Sequence, residues 1–379
     1  MKEQITINIM GDICPTQDNE NFIQVQEQKK LFNQVLDILN SGDINITNLE
    51  APLIKKGFRP IDKAGPNLHC NKEFIDLLSK ANINIISLAN NHICDFGQEG
   101  VLNTIKKLNE KGVRNVGAGE NIEIAKQPLI IQSNQLKIGI MAFSEHEFNT
   151  AAKNSAGANG FDVFHSFDDI KKASDLCDYL IVIFHGGIEY YKYPSPLLQK
   201  KCQKMIESGA DLVTCQHSHC IGTKEEYMDG IIIYGQGNTI FGYKEGDEDW
   251  NRGLLIKLKL SKKNREMEFI PITALKSGGI NIIQGSAGEN CIMEFEERSR
   301  NISANKFVEN EWFKFCETKK SSYLPFLFGR GRYFNYINRL SKNGLIDLLY
   351  PKRSKMITHN IIRCESHYEV IDTILKNSY

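Results

Sequence analysis

The sequence predicts an α/β fold, on three observations. From Ile5 to about Thr273, short runs rich in β-branched residues alternate with segments of helical spacing, the pattern of strands joined by helices. Nearly every strand-like run is followed at once by a cluster of glycine, asparagine, histidine or acidic residues. No apolar run reaches the length of a bilayer, so the apolar segments are read as core.

Candidate strands are Ile5–Met10, Ile44–Thr47, Ile83–Leu88, Lys137–Phe143, Tyr179–Phe184, Asp211–Thr214 and Ile231–Tyr234. Helical spacing marks Lys29–Asn40, Lys72–Lys80, Gln98–Lys111 and Leu197–Ser208. After Ser277 the pattern breaks at Gly278-Gly279 and Gly285-Ser286-Ala287-Gly288, which places a domain boundary near residue 280. The segment 281–379 is expected to be a helical extension. It is rich in aromatic and basic residues, among them Trp312, Phe313, Phe315, Tyr323, Phe326, Phe328, Tyr333, Phe334 and Tyr336. Such a tail can be a lid, a partner surface or helices packed on the main domain, and packing is the simplest of the three.

Lysine plus arginine and aspartate plus glutamate both total 46 in the 379 residues. A net charge of zero gives no overall field to gather nucleic acid or an anionic membrane, so the partner is sought in local chemistry. The amino terminus leads straight into a strand-like run without the apolar core of a signal peptide, and the ten cysteines are scattered with no C-x-x-C pair. Both features predict a cytoplasmic protein whose cysteines are mostly small core residues.

Six clusters carry chemistry. Gly11-Asp12 closes the first strand, where glycine permits a sharp turn and the aspartate projects from the sheet edge. Asn48-Leu49-Glu50 closes the next, offering hard oxygen ligands before Pro52. The run Ser87-Leu88-Ala89-Asn90-Asn91-His92-Ile93-Cys94-Asp95-Phe96-Gly97 packs two amides, an imidazole and a carboxylate into six positions. Turn and cap hydrogen bonds are the structural alternative there, but so many polar groups at a strand-to-helix turn need partners. His185-Gly186-Gly187-Ile188-Glu189-Tyr190 follows another strand, and its histidine is a ligand candidate by position. His217-Ser218-His219 is the best local metal signal, since in an extended segment residues two apart point the same way, toward one ion or two adjacent ions. Tyr234-Gly235-Gln236-Gly237-Asn238 places an amide among glycines at the floor of the site. Parallel strands present their carboxyl ends on one edge, so these clusters can converge. Histidine with carboxylate and amide oxygen, and no cysteine grouping, suits one or two divalent ions of Mn, Zn or Fe.

Taken in order, Gly11-Asp12, Asn48-Leu49-Glu50, Ala89-Asn90-Asn91-His92 with Asp95 and Gly97, Gly117-Ala118-Gly119, His185-Gly186-Gly187-Ile188-Glu189-Tyr190, Gly209-Ala210-Asp211 with His217-Ser218-His219, and Gly237-Asn238 with Phe241 resemble the CapA or PgsA family of poly-γ-glutamate capsule biosynthesis. The resemblance covers roughly residues 5–275 and implies a metallophosphatase-like four-layer α/β/β/α sandwich. It implies that Asp12, Glu50, Asn91, His185, His217 and His219 are metal ligands and that His92 assists the leaving group, with Asp95 orienting it. Asn48, Asn90, Glu189, Tyr190 and Asn238 are then the substrate-facing candidates. The chain departs from metallophosphatases in carrying Cys14 where their Asp-x-His has histidine, and in using Asn48-Leu49-Glu50 for Gly-Asp-x-x-Asp. It departs from the family's usual patterns at His185-Gly186-Gly187 and at Cys215-Gln216.

Three functions are compatible with these residues. One is a metal-dependent hydrolase of phosphoester or γ-glutamyl amide bonds, favoured by the surplus of ligand residues beside His92. Another is a non-catalytic assembly or export factor holding an anionic capsule polymer, alone or with capsule-synthesis proteins. The third is an interaction scaffold acting through the tail.

Overall fold

The computed structural model describes residues 4–133, 136–327, 332–341 and 344–376, so Phe328 of the aromatic tail lies outside the described residues. In chain order the strands are β1 (Ile5–Ile13), β2 (Ile44–Leu49), β3 (Ile85–Ser87), β4 (Arg114–Val116), β5 (Ala118–Gly119), β6 (Leu129–Ser133), β7 (Leu136–Ser144) and β8 (Gly157–Ala158). They continue as β9 (Tyr179–His185), β10 (Leu212–Gln216), β11 (Lys224–Tyr227), β12 (Gly230–Ile233), β13 (Asn238–Ile240), β14 (Arg252–Leu260), β15 (Arg265–Ala274) and β16 (Ile280–Ile282). One large sheet has the order β16-β15-β14-β1-β2-β3-β4, with β13 also paired to β1; the other runs β11-β12-β10-β9-β7-β6, and β5 pairs with β8.

Alternation along β1 shows how the layers arise. Ile5, Ile7 and Ile9 enter a buried cluster shared with Ile138, Ile140, Ile181 and Ile183 of the second sheet, so the two sheets pack face to face. Met10 and Ile13 join a second cluster with Phe32, Leu39, Phe74, Leu78, Val101 and Leu108 from helices on the outer face of the first sheet. A third cluster joins Val182 and Phe184 of the second sheet to Leu198, Cys202 and Met205 of the helix Pro196–Glu207. Helix, sheet, sheet, helix is the four-layer order that the family resemblance implies. Ten free cysteines fit that packing, seven of them buried.

All seven candidate strands exist, and the helices Lys72–Lys80, Gly97–Glu110 and Pro196–Glu207 fall within a residue of their predicted bounds. The segment predicted as one helix over 29–40 is two, Gln28–Phe32 and Val35–Ser41, because Asn33 takes a left-handed φ of 44° between them. The hairpin β14–β15 has no counterpart among the predicted strands. Its alternate residues Lys257, Lys259, Glu266 and Glu268 face solvent-side ion pairs, which dilutes the apolar signal.

The chain divides into two compact units, residues 1–309 and 310–379. The helix Gly285–Ser299 lies in the first, where Phe295 is fully buried and its ring centroid is 5.1 Å from that of Phe269. Of the glycines that suggested a boundary near 280, Gly278 and Gly279 form the turn into β16, which pairs with β15, and Gly285 and Gly288 lie in this helix. The second unit is helical, with helices Arg332–Leu340, Gly344–Leu349, Lys352–Arg363 and Glu365–Lys376 after the long helix Phe307–Leu327. It holds 12 lysines and arginines against 6 acidic residues, so the neutral total joins a net negative first unit to a net positive second. Among the described residues no helix is long and apolar enough to cross a membrane.

Phe295→Ala is expected to destabilise the first unit by about 3–5 kcal/mol through loss of buried area and an unfilled cavity, as read from urea unfolding of the full chain. An unchanged midpoint would mean that this helix is not part of the folded core.

Candidate metal centre

The carboxyl ends of β1, β2 and β3 in one sheet and of β9 and β10 in the other meet along a single edge. Asp12 pairs in register with Asn48 on β2 and with Asn238 on β13. Gln216 pairs with His185 across β10 and β9. The sheets are tied together behind this edge. Gln236 Nε2 donates to the carbonyls of Ile9 (3.0 Å) and Leu254 (3.1 Å), while its Oε1 accepts from Thr214 Oγ1 (2.8 Å) and Gln216 Nε2 (3.2 Å).

Gly11 serves this close approach rather than a turn. Strand β1 continues through it to Ile13, and a Cβ at Gly11 would stand 2.2 Å from the Gly237 carbonyl oxygen. Gly237 itself has φ +67°, and a Cβ there would meet the Arg252 carbonyl oxygen at 2.5 Å. The expected sharp turn at Gly11-Asp12 is therefore corrected to a shift of pairing register between Asp12 and Ile13.

Two ligand groups result, Glu50 with His185 and His217, and Asp12 with Glu50 and His219. Within each, one potential ligand atom per residue lies within 4.8 Å of the others, and all five residues are buried. Glu50 belongs to both. His217 and His219 do not extend β10 in parallel, as the sequence suggested. Their φ values of 89° and 52° are left-handed, their ring centroids stand 6.1 Å apart, and they fall in different groups. Such backbone costs on the order of 1–3 kcal/mol per residue and persists only where surroundings enforce it. Part of that enforcement is the His217 backbone N–H, which donates to Asp12 Oδ2 at 2.9 Å.

The charges fit a cation. Both oxygens of Glu50 and Nδ1 of His217 are buried without a hydrogen-bond partner, an arrangement costly in an apolar setting unless an ion completes it. Burial raises the Glu50 carboxyl, but the nearby His185, then His219 and His92, outweigh it and hold it at about 2. Burial pushes Asp12 up, with Glu50 adding repulsion. Burial pulls His185 down but Glu50 and Asp12 pull it further up, whereas His217 is pushed down to about 3 by burial and by His185. His217 therefore keeps a neutral ring, the form that coordinates metal. The residues thus fit one or two divalent ions.

Around the ligands the remaining candidates separate. Asn91 Oδ1 is 2.9 Å from His185 Nε2, so its amide stands at the centre. Asn48 and Asn90 are fully buried and spend their amides on the protein. Asn48 Nδ2 donates to Asp12 Oδ1 (2.8 Å), and Asn90 Nδ2 donates to Asn48 Oδ1 (3.1 Å) and to the Leu49 carbonyl (2.8 Å). Both brace ligands and face no open space. Asn238 Oδ1 is 2.8 Å from His219 Nδ1 and so fixes that ring rather than the floor of a pocket. Glu189 and Tyr190 are exposed beyond the ligand turn. Cys14 lies in the outer core cluster and in neither ligand group.

His92 sits at the edge of the centre, with Nε2 3.8 Å from Glu50 Oε1 and Nδ1 2.6 Å from Asp95 Oδ2. Asp95 also accepts from the Leu68 backbone N–H (2.6 Å) and from Lys63, whose side chain is buried. Lys63 was invisible in the sequence, since it stands in an aperiodic loop of prolines and glycines with nothing to mark its target.

Residues 6–243 match the sequence model of the bacterial capsule synthesis protein PGA_cap. The chain is 28% identical over 258 residues to a capsule biosynthesis protein CapA of Bacillus anthracis, covering 66% of this chain and 62% of that protein, just under two thirds of its length. It is 27% identical over 276 residues to a PGA biosynthesis protein CapA of Bacillus subtilis, covering 71% of each. Among solved structures, a phosphatase from Mycoplasma pneumoniae aligns over 72% of this chain and 95% of its own, with 14% identity and a TM-score of 0.46.

The depressed His217 value carries a pH signature in chelator-treated protein. Between about 6.5 and about 3 the unfolded chain binds a proton on this residue that the folded chain refuses, so its contribution is full above 6.5 and is lost as pH falls through that window. His217→Asn should flatten the loss of stability over that range in urea unfolding. An unaltered slope would show that the ring is not held neutral.

Proposed function

Because the chain belongs to the PGA_cap family of bacterial capsule synthesis proteins, we propose that it is a metal-dependent hydrolase of phosphoester or γ-glutamyl amide bonds in the making of poly-γ-glutamate or a related anionic surface polymer. The observation that carries this reading is Glu50, buried with neither oxygen hydrogen-bonded and shared by two ligand groups. The names of the relatives, capsule and PGA biosynthesis proteins, supply the polymer.

Asp12, Glu50, Asn91, His185, His217 and His219 would hold the metal. When bound, a divalent ion supplies Lewis-acid polarisation of an oxygen in the substrate or in water. Asp12 and His219 are pre-aimed by Asn48 and Asn238, so little ordering is left for the moment of binding. His92 presents Nε2 toward the centre because Asp95 holds Nδ1, and Asp95 is held in turn by Lys63 and the Leu68 amide. This chain fixes the ring orientation, with Nδ1–H on Asp95, so that the doubly protonated ring can deliver its Nε2 proton to a leaving group and the neutral ring can take one up there.

A second reading is favoured by Cys14, which takes the place of the histidine in the Asp-x-His pattern and contributes to the core instead of the ligand set. With the ion on the Asp12 side weakened, an ion held by Glu50, His185 and His217 would still bind polymer carboxylates during assembly without cleaving them.

Elemental analysis of the purified full chain, with turnover of bis(p-nitrophenyl) phosphate and of γ-glutamyl oligomers under added Mn or Zn, separates the two. About one or two ions per chain with metal-dependent turnover is the expected result. His217→Ala with His219→Ala should remove the metal and leave the fold, while His92→Ala should keep the metal and lower turnover by roughly 10²–10⁴-fold. Metal loss in His92→Ala would make that residue a ligand and overturn its role as proton donor. Metal-free, inactive protein that still binds polyglutamate would favour the assembly factor.

A further inference from the structure

Beside His219 the chain builds a lip of two stacked aromatic rings and a lysine that the ligand set does not use. The Trp250 ring centroid is 4.8 Å from that of His219 and 5.3 Å from that of Phe241. The Trp250 carbonyl accepts from Asn238 Nδ2 at 3.0 Å, the same amide group that fixes His219. Tyr190 lies nearly parallel to Trp250, with centroids 6.0 Å apart and an interplanar angle of 23°. Its φ is a left-handed 60°, and its backbone N–H donates at 2.8 Å to the carbonyl of Ser218, the residue between the two ligand histidines. Lys244 completes the group. Its Nζ donates to the Tyr190 hydroxyl at 3.0 Å and lies over the Trp250 ring. Asn251 clamps its backbone on both sides, through Lys244 N–H to Oδ1 (2.8 Å) and Nδ2 to the Lys244 carbonyl (2.6 Å).

The electrostatics single this lysine out. Lys192, which also serves this region, is paired with Asp249 at 2.8 Å. Lys244 forms no ion pair within 4.0 Å among those of the described residues and is exposed, with the carboxylates of Asp247 and Glu189 acting on it from further away. An ammonium on aromatic faces keeps its charge while its partners stay neutral. A lysine stacked on aromatics is often only a solvated surface contact. Here its backbone is clamped, and the rings beneath it are fixed through Asn238 and Ser218 to the metal-ligand turn, so the charge is held at a set distance from the centre.

We propose that Lys244, seated on Tyr190 and Trp250 beside His219, is the anion-recognition subsite of the centre and takes a carboxylate or phosphate group of the substrate. The ring faces would pack the apolar stem of a glutamyl residue while the ammonium takes its charge. This rests on the reading that the centre acts on an anionic polymer or ester.

The sequence holds two tryptophans, Trp250 and Trp312. In full-length Trp312→Phe protein the fluorescence of Trp250 reports on this lip directly, with tri-γ-glutamate and inorganic phosphate as probes and metal content measured alongside. A saturable change is expected, weakened about tenfold or more by Lys244→Met and largely restored by Lys244→Arg, at unchanged metal content. Response to the peptide alone assigns the carboxylate, and response to phosphate alone assigns the phosphate. Equal affinity in Lys244→Met for both probes, or no response to either, overturns the subsite. Wild-type protein that holds no metal yet shows Lys244-dependent binding keeps the subsite and removes the hydrolase reading, so the two failures are distinguishable.

Discussion

A buried carboxylate without a hydrogen-bond donor organises this molecule. Glu50 sits between the two ligand groups with neither oxygen satisfied, at a point where His185 Nε2 approaches to only 3.5 Å. A charge so placed is strongly unfavourable unless balanced by cations; the surrounding imidazoles supply charge, and neither oxygen has a hydrogen-bond donor to complete its environment. The rest of the site reads as the answer to that constraint. His217 stays neutral, His219 is fixed by Asn238, and Asp12 receives donors on both oxygens, leaving their remaining lone pairs for an ion.

Bringing five strand ends together requires two sheets to approach closely at one edge, and the packing reflects that demand. Gln236, in the segment between β12 and β13, donates to backbone carbonyls of the first sheet and accepts from Thr214 and Gln216 of the second, and Gly11 and Gly237 are free of side chains where the backbones nearly touch. Substituting any of these would move the ligands before it disturbed the distant core. The left-handed turns at Tyr190, His217 and His219 belong to the same construction. Among the described residues these are three of the eight non-glycine positions with positive φ, and two of the three carry candidate ligands.

His92 illustrates a second level of organisation. Its ring is set by Asp95, but Asp95 is itself set by Lys63 and the Leu68 amide from a loop that arrives from another part of the chain. The same logic operates on the opposite side, where Lys244 and Trp250 stand behind His219. In both places a cation outside the ligand set lies within one side chain of it, buried at Lys63 and exposed at Lys244.

The sequence by itself determined the α/β class and the strands whose ends carry the candidate site, because each of those strands is a run of β-branched residues and such local order is written in neighbouring positions. It misjudged what depends on distant contacts. The segment 29–40 broke at Asn33, and Gly11 answered to Gly237 rather than to a turn. The amides of Asn48 and Asn90 were drawn inward to brace Asp12 and Leu49. Only the tertiary structure decided that His217 and His219 serve different ligand groups, that Glu50 is common to both, and that Lys63, Lys244 and Trp250 stand beside the centre. Those facts follow from the apposition of two sheets, and no spacing along one chain encodes the distance between residues that meet only when separate layers pack.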